Sequence, residues 1–304
     1  MALPITCILP VYIGVDTDEF TRAYRSIVHQ TSEPDEILVV LDGPVQPGIE
    51  AYLDSHDGPQ LTVVRFDENR GVAAAMHDAL PLARNRWVAR HDADDIMMPD
   101  RLEKQWPVVS TGDYAAVGGA IVEFEGDPDH VVRVRRLPSE PEAIAKYVKI
   151  NSPLNNPTVI LDKEAVLAVG GIRDVLFMED YDLFARLIAA GYSLRSLDEV
   201  LTLQHAPESM FDRRTDARLA KAEKTMQGNL VELGLIGRPR AFFNYGARQL
   251  FRSLPRPLLK RAYSALFHRP GALDEPITEV RRWLEQDWPG FVPEPHDSPA
   301  PKDR

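Results

Sequence analysis

Unbroken apolar runs alternate with stretches of helical spacing through roughly the first hundred residues. Ile5 to Val11 reads as a buried strand. Asp18 to Gln30 reads as a helix with Phe20, Tyr24, Ile27 and Val28 on one face. Glu36 to Leu41 is a second strand, stopped by Asp42-Gly43-Pro44, and a short helix follows around Ile49 to Leu53. Leu61 to Phe66 is a third strand, Gly71 to Ala83 a helix of small residues, and Arg86 to Arg90 a fourth strand. Strands that are apolar throughout, separated by helices, predict a parallel sheet covered on both faces.

The pattern loosens beyond this point. Ala115 to Phe124 and Pro157 to Leu161 read as strands, Val131 to Arg136 alternates like an edge strand, and Leu201 to Gln204 is a short strand. Helices are expected over Pro141 to Val148, from Lys163 to a stop at Gly170-Gly171, and from Glu179 to Ala190. There is no internal repeat.

The tail reverses polarity. Between Arg238 and Arg269 stand eight Lys or Arg and no Asp or Glu, interleaved with aromatic and leucine residues. The chain as a whole carries 35 − 46 = −11. Such a basic amphipathic segment suits an anionic membrane surface, and equally a helix pair packed on the domain with a solvated basic face. From Trp288 to the end, prolines predict disorder. The net negative charge argues against nucleic acid as a partner. The single cysteine, Cys7, lies in an apolar run and is expected in the core. Met1-Ala2-Leu3-Pro4 leads straight into a strand, and no apolar run reaches about 18 residues, so neither signal peptide nor membrane span is expected. The expected location is cytoplasmic, with attachment to the inner face of the cell membrane left open by the basic tail.

Candidate chemistry centres on His91-Asp92-Ala93-Asp94-Asp95, directly behind the fourth strand. Open α/β sheets place ligands at the carboxyl ends of their strands. Aspartates one residue apart can converge on one divalent cation, and carboxylate oxygens suit Mg²⁺ or Mn²⁺. A cation held that way keeps positions open for substrate phosphates. The cluster alone is equally compatible with a solvated acidic turn.

Further motifs narrow the choice. In order along the chain come Ile8-Leu9-Pro10-Val11-Tyr12, Ser26-Ile27-Val28-His29-Gln30-Thr31, Val39-Val40-Leu41-Asp42-Gly43, Glu68-Asn69-Arg70-Gly71, Asp92-Ala93-Asp94-Asp95, Gly170-Gly171 and Glu179-Asp180-Tyr181-Asp182-Leu183. In this register, from about Pro4 to Ala206, the chain resembles the family 2 glycosyltransferases, inverting sugar-nucleotide transferases. It looks most like small bacterial members that build surface polysaccharides.

The resemblance implies an α/β fold of the A-type glycosyltransferase class. A nucleotide-diphospho-sugar transferase domain with a mostly parallel sheet would span 1–235, with a nucleotide half to about 110 and an acceptor half beyond. A helical appendage would follow over 236–287, then the proline-rich tail over 288–304. It also implies roles. Pro10 and Tyr12 would hold the nucleotide, and Asp42 would accept a hydrogen bond from its base, which suits a UDP or dTDP sugar. Asn69 would face the donor through its loop, the alternative being a plain helix cap. Asp94 would bind the metal, with Asp92 as partner on metal or ribose, His205 near metal or diphosphate, and Asp95 behind them. Asp180 would be the base and Glu179 an acceptor-positioning residue, with Asn156 bordering the acceptor pocket. Arg101 is expected in a surface ion pair and Asp182 as a surface or supporting residue.

The acceptor would be a saccharide or a lipid-linked one. Processive members carry a Gln-x-x-Arg-Trp motif. Gln249-Leu250-Phe251-Arg252-Ser253 lacks its tryptophan, so single transfer is expected. Two alternatives compete: a sugar-1-phosphate nucleotidyltransferase, for which Tyr12-Ile13-Gly14-Val15-Asp16 supplies no glycine-rich loop, and a non-catalytic carbohydrate-binding scaffold.

Overall fold

A computed structural model of the protein describes residues 2–56, 58–126, 128, 130–206 and 217–252. The first hundred residues follow the pattern closely: β1 (Leu3–Val11), α1 (Thr17–Val28), β2 (Pro34–Asp42), α2 (Pro47–Ser55), β3 (Leu61–Phe66), α3 (Val72–Ala79) and β4 (Trp87–Arg90). These strands run parallel in the order β3-β2-β1-β4. Their side chains alternate between two cores. Ile8, Leu38 and Val40 pack with α3 on one face, while Cys7, Leu9, Ile37, Val39 and Leu41 pack with α1 and α2 on the other. Both faces are covered, which is why the strands are apolar throughout. Cys7 is buried as expected, and burial pushes its thiol up to about 12.

The second half continues the sheet as a mixed one. It adds β5 (Ile96–Met97), α4 (Arg101–Val109), β6 (Ala116–Phe124), β7 (Val131–Arg135), α5 (Pro141–Tyr147), β8 (Ile160–Asp162), α6 (Lys163–Ala168), α7 (Glu179–Ala189) and β9 (Leu194–His205). The order extends as β4-β8-β6-β9-β5, with β7 on β6. Within it β6 and β9 are parallel, and β4 with β8, β6 with β8, β6 with β7 and β5 with β9 are antiparallel. Two expectations change here. Asn156–Thr158 forms a 3-10 turn before β8 instead of opening the strand, and β9 begins at Leu194 instead of Leu201. The polar stretch Arg195–Glu199 hides the start of β9 from a hydrophobicity reading, because only Leu194 and Ser196 are buried there.

The chain leaves α6 through Gly170 and Gly171, both left-handed at φ 91° and 71°. A Cβ on Gly171 would lie 2.6 Å from the His77 ring, so that turn demands glycine twice over. Two further helices, α8 (Ala217–Glu232) and α9 (Arg238–Arg252), follow. Met226 and Leu230 of α8, with Ile236 just after it, pack against Val148, Tyr181 and Ala185, so α8 shares a core with the second half of the sheet domain. The rest of the basic segment, positions 253–269, and the proline-rich end lie outside the described residues.

Arg101, read as a surface residue, and Asp182, read as surface or supporting, are both interior. Arg101 is completely buried at the start of α4. Its guanidinium donates to Gln105 Oε1 at 3.0 Å, to the Pro157 carbonyl at 2.9 Å and to the Arg90 carbonyl at 3.0 Å. It therefore ties β4 to the turn before β8, and burial lowers its pKa to about 10. Asp182 is also completely buried, accepting from Arg186 Nε at 2.7 Å and Asn229 Nδ2 at 2.9 Å. It locks α7 to α8. The spacing carried a hint: Arg101, Leu102, Gln105 and Val109 form one helical face.

Candidate active site

The carboxyl ends of β1, β2 and β4 open onto a cavity of about 490 Å³. The turn after β4 builds its acidic wall. Asp95 N–H donates to the Asp92 carbonyl at 3.1 Å, closing the turn, and Asp95 Oδ1 accepts from His205 N–H at 2.8 Å, pinning it to the end of β9. The other Asp95 oxygen is buried without a partner among the described residues. Burial and then the nearby Asp94 and Asp92 charges raise this carboxyl well above the usual range.

Asp94 is the exposed member, with 43% of its side chain open. The His205 ring stacks on Phe124 with centroids 5.2 Å apart, and its Nδ1 lies 3.8 Å from Asp94 Oδ2 and 3.5 Å from Glu19 Oε1. Among the described residues no three or more His, Cys, Asp or Glu form a ready-made metal cage. The donor set nevertheless suits a hard divalent cation: carboxylate oxygens and one imidazole on an open turn, and an orphaned carboxyl oxygen behind it.

Arg90 was not singled out by the sequence. Its buried guanidinium donates from Nε to Asp92 Oδ1 at 3.0 Å and pairs with it through Nη2, also at 3.0 Å. Burial alone would lower its pKa, but Asp92, Glu179 and Asp180 together raise it. One cation thus serves the acidic turn and the Glu179-Asp180 pair. No periodicity marks an arginine at a strand end, and only its place two residues before Asp92 hinted at it.

On the opposite wall β2 ends in Asp42. Its two oxygens accept from Arg70 N–H at 2.9 Å and Gly71 N–H at 2.8 Å. Asp42 is therefore first an anchor for the loop before α3. Gly71 caps α3 at φ 87°, a left-handed conformation, so Asn69 is not the helix cap. Pro10, Tyr12, Asp42 and Asn69 all line the cavity, as do Asp92, Asp94 and His205.

From the second half of the domain Glu179 lines the cavity at the start of α7. Burial, with Asp180 next, pushes its carboxyl up to about 7. Asp180 does not line the cavity. It is half-buried beside it, with Oδ2 accepting from Ser152 Oγ at 2.8 Å, and burial raises its pKa. Asn156 is half-buried in the 3-10 turn and likewise off the lining. A second missed residue, Phe177, lines the cavity in a left-handed conformation, φ 60°. Strain of this kind concentrates at functional sites.

Comparison with known proteins bears on the family and the fold. The family model described as glycosyl transferase family 2 matches residues 6–167. An uncharacterized glycosyltransferase of Haemophilus influenzae is 31% identical over 269 residues, covering 88% of this chain and 100% of that protein. The amylovoran biosynthesis glycosyltransferase AmsE of Erwinia amylovora is 28% identical, covering 84% and 96%. An Escherichia coli UDP-Gal:alpha-D-GlcNAc-diphosphoundecaprenol beta-1,3-galactosyltransferase is 27% identical, covering 86% and 96%. Among solved structures, S. aureus TarS superposes with a TM-score of 0.61 at 15% identity, over 83% of this chain and 73% of that one. The mannosyltransferase PcManGT from Pyrobaculum calidifontis, in complex with GDP-Man and Mn²⁺, gives 0.58 at 17% identity, over 94% and 88%. The fold is the A-type glycosyltransferase fold, and the chain belongs to glycosyl transferase family 2.

Proposed function

We propose that this enzyme moves one sugar, with inversion, from a nucleotide diphosphate donor to a hydroxyl of a saccharide or lipid-linked acceptor, in assembly of a cell-surface polysaccharide. The observation that carries it is the convergence on one cavity of Asp92, Asp94 and His205 with Glu179, the neighbour of Asp180. The relatives' names point the same way: one acts in amylovoran biosynthesis, another on a diphosphoundecaprenol acceptor with UDP-Gal.

Asp94 and His205, with Asp92, would hold Mg²⁺ or Mn²⁺, which supplies neutralisation of the leaving diphosphate. Pro10, Tyr12 and Asn69 receive base and ribose. Both Asp42 oxygens hold the loop, so only their remaining lone pairs are left for a base imide of UDP or dTDP. Asp180 takes the proton from the attacking hydroxyl. Its raised pKa makes it a stronger base than an exposed aspartate, and the Ser152 hydrogen bond fixes its orientation. Glu179 positions the acceptor, and Phe177 offers it an apolar face. The domain limits proposed are those of the two halves to 235, with the helical appendage after it.

Family membership sets aside the nucleotidyltransferase alternative, while a non-catalytic scaffold predicts no donor turnover. Thermal unfolding with nucleotide sugars, with and without Mg²⁺ or Mn²⁺, tests the reading. A donor at 100 times its Kd raises stability by roughly 2.7 kcal/mol. The expected result is stabilisation by UDP or dTDP sugars that needs the metal; equal stabilisation with and without metal contradicts it.

A further inference from the structure

Helix α9 is turned inside out. Asn244 points inward, 7% exposed, donating to the Lys149 carbonyl at 2.9 Å and to Gln227 Oε1 at 3.2 Å. Arg248 bonds Glu223 Oε2 at 3.0 Å, Asn151 Oδ1 at 3.3 Å and the Ile150 carbonyl. The outward face holds Phe242 and Phe243, 81% and 66% exposed. A helix on a water-soluble domain normally shows the reverse arrangement, and neighbouring exposed phenyl rings mark a contact surface.

The charge around them is one-sided. Between the end of α5 and the start of α9 lies a recess of about 250 Å³ whose wall carries Lys146, Lys149 and Arg240 and no acidic residue. Arg238 is exposed beside it, and no Asp or Glu occurs from Leu233 to Arg252. This patch sits on a chain of net charge −11. A second copy of the chain is a poor occupant, because an isologous interface would set these cations against themselves.

We propose that this face docks the protein on an anionic phospholipid surface, with Lys146, Lys149 and Arg240 on headgroup phosphates and Phe242 and Phe243 at the acyl boundary. Basic residues around exposed aromatics are what such an interface selects. The surface also reaches the site: Ile150, at its edge, stands two residues before Ser152, which holds Asp180. In that one respect the inference deepens the proposed function, bringing the base's loop to where a lipid-linked acceptor would lie.

The test is flotation of the full chain with vesicles of phosphatidylcholine alone or mixed with phosphatidylglycerol, without sugar donor. Because no transfer is measured, its outcome is independent of the catalytic reading. Wild type is expected to float with the mixed vesicles only, and inorganic phosphate matched in ionic strength to chloride is expected to displace it no better than chloride. Each surface cation contributes about fivefold, so Lys146→Gln with Lys149→Gln lowers binding roughly 25-fold. Phe242→Ser with Phe243→Ser lowers it by at least about tenfold. The thermal midpoints of both variants check folding. Phe242→Trp gives a second readout, quenching by brominated lipid. Wild type that stays off mixed vesicles overturns the proposal, whether it remains monomeric or dimerises. So does equal flotation of the charge and phenylalanine variants with wild type, selective displacement by phosphate, or a Phe242→Trp chain whose indole is not quenched.

Discussion

The guanidinium of Arg90 grips Asp92 Oδ1 through two nitrogens at 3.0 Å while its charge acts on Glu179 and Asp180. A buried cation between the acidic turn and the start of α7 favours the charged form of carboxylates on both, against the burial that raises Glu179 and Asp180. Removing it leaves them uncompensated. Breaking a buried pair costs roughly 3–5 kcal/mol, and partial exposure of Asp92 places this one at the lower end. Arg90→Met is therefore expected to lower the thermal midpoint and to raise the KM for donor, with Arg90→Lys recovering part of both. Unchanged donor KM in a folded Arg90→Met chain removes the bridging role.

Asp42 is a loop anchor before it is anything else. Asp42→Ala strips the N–H groups of Arg70 and Gly71 of their acceptor, at a cost of roughly 1–3 kcal/mol. Donor affinity is expected to fall with stability, because Asn69 belongs to the same loop. Calorimetric donor titration beside a thermal melt checks this, and a melt that falls with no loss of affinity separates the loop from the donor.

Glu179 gives a pH signature. Its carboxyl rises from 4.5 to about 7 on folding, so between these values the folded protein binds more protons than the unfolded chain. Its contribution therefore favours folding at low pH and is lost as pH rises toward 7. Glu179→Gln is expected to be more stable relative to wild type at pH 8 than at pH 5. Melts of both proteins at the two pH values decide it, and a constant difference between them rules the shift out.

The nucleotide half was legible because most of its strands are buried on both faces and so are written as unbroken apolar runs. The Asp92–Asp95 turn follows from placing residues at the end of such a run, whereas Pro10, Tyr12, Asp42 and Asn69 come from the family resemblance. The acceptor half was less legible for a physical reason. The polar residues of β9, Arg195 to Glu199, and the two-residue β5 take their order from neighbours distant in sequence. Arg101 misled because charge was weighed above helical position, while acceptors on Gln105, Pro157 and Arg90 satisfy its donors in the interior. The left-handed Phe177 has no sequence signature at all.

The central claim is that Asp180, oriented by Ser152, takes the acceptor proton. Single-turnover transfer by Asp180→Asn, measured beside donor binding under the same metal conditions, tests it most directly. The expected result is a fall of roughly 10²–10⁴ in transfer rate with donor affinity unchanged. Transfer at the wild-type rate by a folded, donor-binding Asp180→Asn chain would contradict it.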